Sequence, residues 1–546
     1  MNVAELMVEC LEHEGIEYIF GVPGEENEDF LFALEKSKIE FVPVRHEQGA
    51  AFIADVWGRL TGQAGVCLST LGPGATNLMT GIADANLDKA PVVALTGQGS
   101  SDRVHHESHQ MIDVIKMMAP ITKWNGTINS QEVVIEMVRK AFKLAQAEKP
   151  GATHLELPEN IAKEEVTTSH KPLAIHRVRR PSPDPVAIQE AIDIIKEAKR
   201  PLIIAGNGAI RSRASQALTK LSQEYLIPVA STFMAKGSIS DKLDTSLGAV
   251  GLGFKDYVIE AFEQADLILS IGYDVAEYDP VNWNKSGNKK IVHFDFEPAE
   301  IYQHYNPDLE VIGDIAAGLH HIIKGLEGHQ YQNWFSDIRA RIFKSFSQYK
   351  LEDSETNFTA PGVINLVRDA LPDTGLVISD VGSHKMWIAR NFPTYVANGC
   401  IISNGMASMG IALPGLIAAY LIDQNRPVVS IMGDGGAMMN IQELETAVRL
   451  KVSGVIIILN DNNYGLIEWK QEMNEGKSFG TKITNPDFVA LAKSFGIESA
   501  KPKNVSELND ILEQSITEKK LVLLEIPIST EVNQHLVDTL SAYYNS

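Results

Sequence analysis

Two apolar runs, Val428-Val429-Ser430-Ile431-Met432 and Val455-Ile456-Ile457-Ile458-Leu459, end in Gly433-Asp434-Gly435-Gly436 and in Asn460-Asp461. Short β-branched runs closed by turn residues read as strands buried on both faces of a parallel sheet. Between them, Ile441 to Leu450 carries Leu444, Ala447 and Val448 at helical spacing, so the unit reads strand, glycine turn, helix, strand. That unit brings both carboxylates to the carboxyl edge of one sheet, where open α/β folds bind ligands. The glycines let backbone approach an anion, and the helix that follows points its free amides at it. Hard oxygens beside a diphosphate suit Mg²⁺, which prefers one or two carboxylates plus phosphate oxygens to an all-protein cage.

The same alternation fills the rest of the chain. The first segment has apolar runs at Tyr18–Gly21, Phe41–Val44, Gly65–Ser69 and Pro91–Leu95 and ends near His154–Pro158; a basic, proline-rich stretch from Lys171 to Pro185 reads as a linker. A second set runs through Pro201–Ala205, Ile227–Ala230, Leu267–Ile271 and Ile291–Asp295. Gly206 and Gly208 leave it open between a nucleotide site and a purely structural Rossmann-like domain. The third begins around Ala360, passes through Gly375–Asp380 and holds the opening motif. A chain of 546 residues is too long for one core. The expectation is three doubly wound α/β domains, at 1–170, 185–330 and 355–546.

Apolar residues at 44% and charged residues at 22% fit a globular enzyme. No stretch approaches the roughly 20 apolar residues needed to span a bilayer, and the start lacks a basic, apolar signal, so a cytoplasmic protein is expected. A formal charge of −22 argues against nucleic acid or an anionic membrane as partner. Cys10, Cys67 and Cys400 lie far apart in apolar surroundings and read as buried, reduced thiols.

Gly433-Asp434-Gly435, the string Glu443-Leu444-Glu445-Thr446-Ala447-Val448-Arg449, and Leu459-Asn460-Asp461-Asn462-Asn463-Tyr464-Gly465 together resemble the thiamin-diphosphate motif of the acetolactate synthase and pyruvate decarboxylase superfamily. The usual motif ends Asn-Asn. The Asn-Asp found here, like the stretch Gly272 to Pro280, resembles the catabolic, flavin-free acetolactate synthases. The resemblance covers nearly the whole length and implies pyrimidine-binding, middle and diphosphate-binding domains in that order. It implies thiamin diphosphate and Mg²⁺, the ion held by the side chains of Asp434 and Asp461 and the backbone carbonyl of Asn463. Val381, Gly382, Ser383 and His384, with Gly433, Gly435, Gly436 and Ala437, would clamp the diphosphate. Within Asn404 to Pro414, Met409 matches the apolar wedge that bends the coenzyme, and the carbonyl of Ala407 would accept from the pyrimidine amine. Pro23 and Asn77 complete the expected coenzyme contacts. Leu247 to Gly253 stands where flavin-dependent relatives carry a His-Gly-Thr segment, so no FAD is expected.

Thiamin chemistry needs a carboxyl group at the aminopyrimidine, to favour the imino tautomer that takes the thiazolium proton. Glu47, where the run Phe41–Val44 hands over to an apolar-faced helix, matches the family's catalytic glutamate. In the family this acid and the cation site meet across a subunit interface, which implies a homodimer or homotetramer. Gly72-Pro73-Gly74-Ala75 and His109-Gln110 are expected near the reacting carbon, with Gln110 lining the acceptor pocket. The implied reaction decarboxylates pyruvate and joins the resulting enamine to a second 2-oxo acid, giving 2-acetolactate and CO₂. Two departures keep a non-ligating 2-oxo acid decarboxylase open. Glu25-Glu26-Asn27 follows the Gly-Val-Pro-Gly turn, and His105 stands beside His106, a pattern that would make Glu25 and His106 catalytic. The third acid of that set, Glu468, stands one residue out of place.

Overall fold

The computed structural model describes residues 1–167, 171–176, 179–251 and 257–536. Three sheets follow one another along the chain, and the named strands pair only in parallel within them. The first holds β1 (Tyr18–Gly21), β2 (Glu40–Pro43), β3 (Gly65–Ser69), β4 (Val92–Gln98), β5 (Trp124–Thr127) and β6 (Ala152–Pro158), in the order β2-β1-β3-β4-β6-β5. The second holds β7 (Pro201–Ala205), β8 (Val229–Ser231), β9 (Ser246–Ala249), β10 (Leu267–Ile271), β11 (Lys290–Asp295) and β12 (Leu309–Ile312), ordered β12-β11-β10-β7-β8-β9. The third holds β13 (Phe358–Thr359), β14 (Leu376–Ser379), β15 (Cys400–Ile402), β16 (Val428–Gly433), β17 (Gly454–Asn460), β18 (Glu498–Ala500) and β19 (Leu521–Ser529), ordered β13-β19-β17-β16-β14-β15 with β18 on β19.

The strands are apolar on both faces because helices cover both. In the middle sheet Ile203, Ala205, Leu267 and Leu269 join one core cluster, while their neighbours Leu202, Ile204 and Ile268 join another. Adjacent residues of a strand point to opposite faces, so a continuous apolar run is what such a sheet requires.

Each sheet reverses its winding direction near its centre: between β1 and β3, between β7 and β10, and between β14 and β16. Parallel loops leave in opposite directions there and open a crevice at the carboxyl edge. In the third sheet Ser379 pairs with Ile431, and Gly433 with Leu459, so the ends of β14, β16 and β17 share that edge.

The expected glycine turn after β16 is instead the first turn of a helix, Asp434–Asn440, with Asp434 as its opening residue. A 3₁₀ turn at Ile441–Glu443 separates it from a second short helix, Leu444–Arg449. Leu444 and Ala447 are buried as their spacing requires, whereas Val448 is 38% exposed, at the edge of the apolar stripe.

By packing, the chain forms two compact units: Met1–Val178 with Gly405–Asn425 and Ala437–Val452, and Arg179–Asn404 with Arg426–Gly436 and Ser453–Ser546. Cys10, Cys67 and Cys400 are buried and unpaired, and burial pushes the first two thiols up to about 12 and the third to about 11. Among the described residues no helix is long and apolar enough to cross a membrane.

Candidate active site

In the second unit the carboxyl ends of β14, β16 and β17 concentrate oxygen atoms. Asp434 is 1% exposed, and its Oδ2 accepts from Asn485 Nδ2 at 2.6 Å. Asp461 Oδ1 accepts from the amide of Asn463 at 3.0 Å. Burial raises Asp434, against which the Asn485 amide and the backbone amides of Gly435 and Asn462 act. Asp461 is pushed up to about 7, first by burial and then by the charge of Asp434. Two carboxylates that resist ionising side by side fit a divalent cation, which removes both penalties at once. The donor set also suits it, because a pair of carboxylates leaves positions for phosphate oxygens.

Asn485 escaped the sequence reading. The stretch Thr481–Ile483 runs antiparallel to Asn462–Tyr464, with Ile483 N donating to Asn462 O at 3.0 Å and Tyr464 N to Thr481 O at 2.9 Å. That pairing swings Asn485 over the carboxylates, where its one nitrogen also lies 3.1 Å from Asn462 Oδ1 and 3.2 Å from Asn460 Oδ1. A turn residue twenty-four positions beyond Asp461 carries no local signal of this.

Beside these acids, Val381 and Gly382 lead into the helix Ser383–Asn391. Its His384 is 3% exposed, burial holds the imidazole down at about 4, and Nε2 lacks a hydrogen-bond partner. Asn463 Oδ1 and Asn485 Oδ1 are buried without partners as well. Orphaned polar atoms of this kind cost about 1–3 kcal/mol each, so this edge is built for a polar ligand.

The first unit holds the expected acid. Glu47 opens the helix Glu47–Thr61 and is 8% exposed, and its Oε2 accepts from Asn77 Nδ2 at 3.0 Å. Asn77, expected at the coenzyme, thus holds Glu47. A side chain at Gly72 (φ +53°) would run into Gln110 at 2.8 Å, so the Gly72-Pro73 loop and Gln110 lie together. Ala407 adopts a left-handed φ of +54°, and Met409 is half-buried. Pro23, Glu25, His105 and His106 are exposed, the two imidazoles with ring centres 3.8 Å apart. Glu26, not Glu25, is the acid of that loop tied inward, taking the Thr70 hydroxyl at 2.6 Å. Glu468, in the second unit, accepts from the Asn463 side chain.

The middle sheet's crevice is closed. Gly272 (φ +58°) stacks directly on Gly208, leaving no room for a side chain on either. The amide of Asn207, at the start of the helix Asn207–Arg211, donates to both carboxylate oxygens of Glu277 at 3.0 Å, and Thr232 donates its hydroxyl to Oε2. Burial and then the charge of Asp274 push Glu277 up to about 8.

Comparison with known proteins agrees with this layout. Three family models match in order: the thiamine pyrophosphate enzyme N-terminal TPP binding domain over residues 1–117, the central domain over 188–322, and the C-terminal TPP binding domain over 380–526. The chain belongs to the thiamine-pyrophosphate enzymes. It is 36% identical to the acetolactate synthase of Bacillus subtilis, covering 98% of this chain and 94% of that protein. It is 32% identical to the catabolic acetolactate synthase of Raoultella terrigena (98% and 97%), and 30% identical to the acetolactate synthase isozyme 1 large subunit of Escherichia coli (97% and 94%). Within the family it is an acetolactate synthase-like enzyme of the carboligase kind.

Proposed function

We propose that the chain is a thiamin-diphosphate- and Mg²⁺-dependent acetolactate synthase that decarboxylates pyruvate and joins the remaining two-carbon fragment to a second 2-oxo acid, giving 2-acetolactate and CO₂. The observation that carries the cofactor reading is the pair formed by the buried Asp434 and the half-buried Asp461 at the third sheet's crevice, where burial and the charge of Asp434 raise the Asp461 carboxyl. In this reading Asp434, Asp461 and the carbonyl of Asn463 hold the ion. Val381, Gly382, Ser383, His384, Gly433, Gly435, Gly436 and Ala437 receive the diphosphate, with Pro23, Ala407 and Met409 against the rest of the coenzyme. Bound there, the coenzyme supplies the nucleophilic carbon and the electron sink for decarboxylation. Glu47 exchanges a proton through Oε1, since Oε2 takes the Asn77 amide. Gln110, fixed against Gly72, orients the acceptor acid.

The closed crevice of the middle sheet supports the absence of FAD: Glu277 takes the helix-terminal amide that a dinucleotide's phosphates would use. Leu87, Met406, Met438 and Met439 are exposed on the first unit, with Leu87 against Gly405 and Met439 against Gly410, an apolar surface suited to a second copy. A homodimer or homotetramer would set the Glu47 of one copy beside the cation site of another. In this reading the domains run over 1–170, 185–330 and 355–546, a division that the succession of three sheets supports. Three buried thiols suit a reducing cytoplasm.

A non-ligating decarboxylase is the second reading, favoured by the closely packed His105 and His106 and by the acids of the loop after Gly24. Incubation of the protein with coenzyme, Mg²⁺ and pyruvate decides between them. Acetolactate as main product supports ligation; acetaldehyde as main product replaces it with the second reading.

A further inference from the structure

We infer that Glu443 is a positioning residue for Glu47: its buried carboxylate gathers the backbone amides that lead into the helix Glu47–Thr61 and so fixes where the acid at that helix's first position stands. This rests on the reading of Glu47 as the proton-exchanging acid.

Glu443 closes the 3₁₀ turn Ile441–Glu443 and is 0% exposed. Its Oε1 accepts from Arg45 N and His46 N, each at 3.1 Å, and Oε2 accepts from Thr446 Oγ1 at 2.6 Å. His46 is the cap residue immediately before Glu47, and its amide is one of the donors that a helix leaves unpaired at its start. The contact is shaped for this carboxylate. A Cβ at Gly49, on the first turn of the helix, would stand 2.7 Å from Oε1, so only glycine admits the acid. A second attachment comes from the same short segment: Arg449, at the end of the helix Leu444–Arg449, donates to the carbonyl of Pro43, the last residue of β2. The corner between β2 and the Glu47 helix is thus gripped at both ends, by a carboxylate on its amides and a guanidinium on its carbonyl. Burial raises the Glu443 carboxyl, while the Thr446 hydroxyl and the two backbone amides draw it down. A carboxylate here cannot be exchanged for an apolar side chain without leaving the Arg45 and His46 amides unpaired. One that aims its lone pairs at the residues preceding Glu47 sets a position, and a displacement of about 1 Å at a reacting group costs up to roughly 10²-fold in rate.

The test is hydrogen–deuterium exchange at the thiazolium carbon of bound coenzyme, measured on the Mg²⁺-loaded enzyme without substrate. Wild type is compared with Glu47→Gln, Glu443→Gln and the double variant, with coenzyme Kd and Tm taken for each. The expected result is exchange slowed about tenfold in Glu443→Gln at near-unchanged coenzyme Kd, with exchange in the double variant no slower than in Glu47→Gln alone. Should Glu443→Gln fail to fold, Gly49→Ala, which crowds Oε1 from the helix side, carries the same expectation. Wild-type exchange in Glu443→Gln beside slow exchange in Glu47→Gln overturns the inference, as does a multiplicative loss in the double variant. Wild-type exchange in Glu47→Gln itself overturns instead the role of Glu47.

Discussion

Two crevices in the second unit are made the same way and are left in opposite states. Between β7 and β10, as between β14 and β16, parallel strands part company and a helix starts at the edge. In the middle sheet the chain satisfies its own edge, with Gly272 packed on Gly208 and the Glu277 carboxylate on the amide of Asn207. In the third sheet, His384 Nε2, Asn463 Oδ1 and Asn485 Oδ1 have no partner, and the half-buried Asp461 stands against the charge of the buried Asp434. The same architecture therefore yields a structural domain in one place and a ligand site in the other. What differs is whether the chain supplies its own anion or leaves room for one that comes from outside.

The largest effect expected from this contrast is at Asp434. Asp434→Asn should weaken Mg²⁺-dependent coenzyme binding by more than about 100-fold, since even the partners of metal ligands are worth roughly 10- to 100-fold. Glu277→Gln should leave that binding unchanged, and calorimetry on both variants checks the pair. Asn485→Ala comes next. It should reduce Mg²⁺ affinity about 10- to 100-fold as a partner of Asp434, read by metal titration at saturating coenzyme.

A subtler contrast lies in pH. Asp461 has its folded carboxyl raised from 3.8 to about 7, so in the metal-free protein its contribution to stability is fully present below about 4 and is lost as pH rises through 7. Mg²⁺ should flatten that decline in Tm, and Asp461→Asn should abolish it. Glu277, raised from 4.5 to about 8, has the same sign over a window that ends higher. Its share of the decline should persist in Mg²⁺ and vanish only in Glu277→Gln. Thermal melts from pH 5 to 9, with and without Mg²⁺, separate the two. If Mg²⁺ flattens both, the two edges are not independent.

The parts of the site legible in the sequence are those whose geometry is local. β14, β16 and β17 declare themselves as apolar runs, and Asp434 and Asp461 follow two of them directly. The Glu47 helix was legible for the same reason, as an apolar-faced stretch after a strand. β19 went unread although it lies beside β17 in the sheet. Glu525 interrupts it, and that charge is answered by Asn460 Nδ2 at 3.0 Å and Lys501 Nζ at 2.8 Å, both distant in sequence. Asn485, Glu277 and Glu443 were missed as acting groups because each works across a long sequence separation. The Asn77 amide on Glu47 is likewise a contact between two helices that no local pattern announces. The helix expected over 441–450 breaks at Ile441–Glu443, and that break turns Glu443 toward Arg45 and His46.

The most direct test of the account is a calorimetric titration of the metal-free protein with thiamin diphosphate, in Mg²⁺ and in excess chelator. The account predicts one site per chain in Mg²⁺, loss of binding in chelator, and loss in Asp434→Asn under both conditions. Equal affinity with and without the metal, or wild-type affinity in Asp434→Asn, would contradict it.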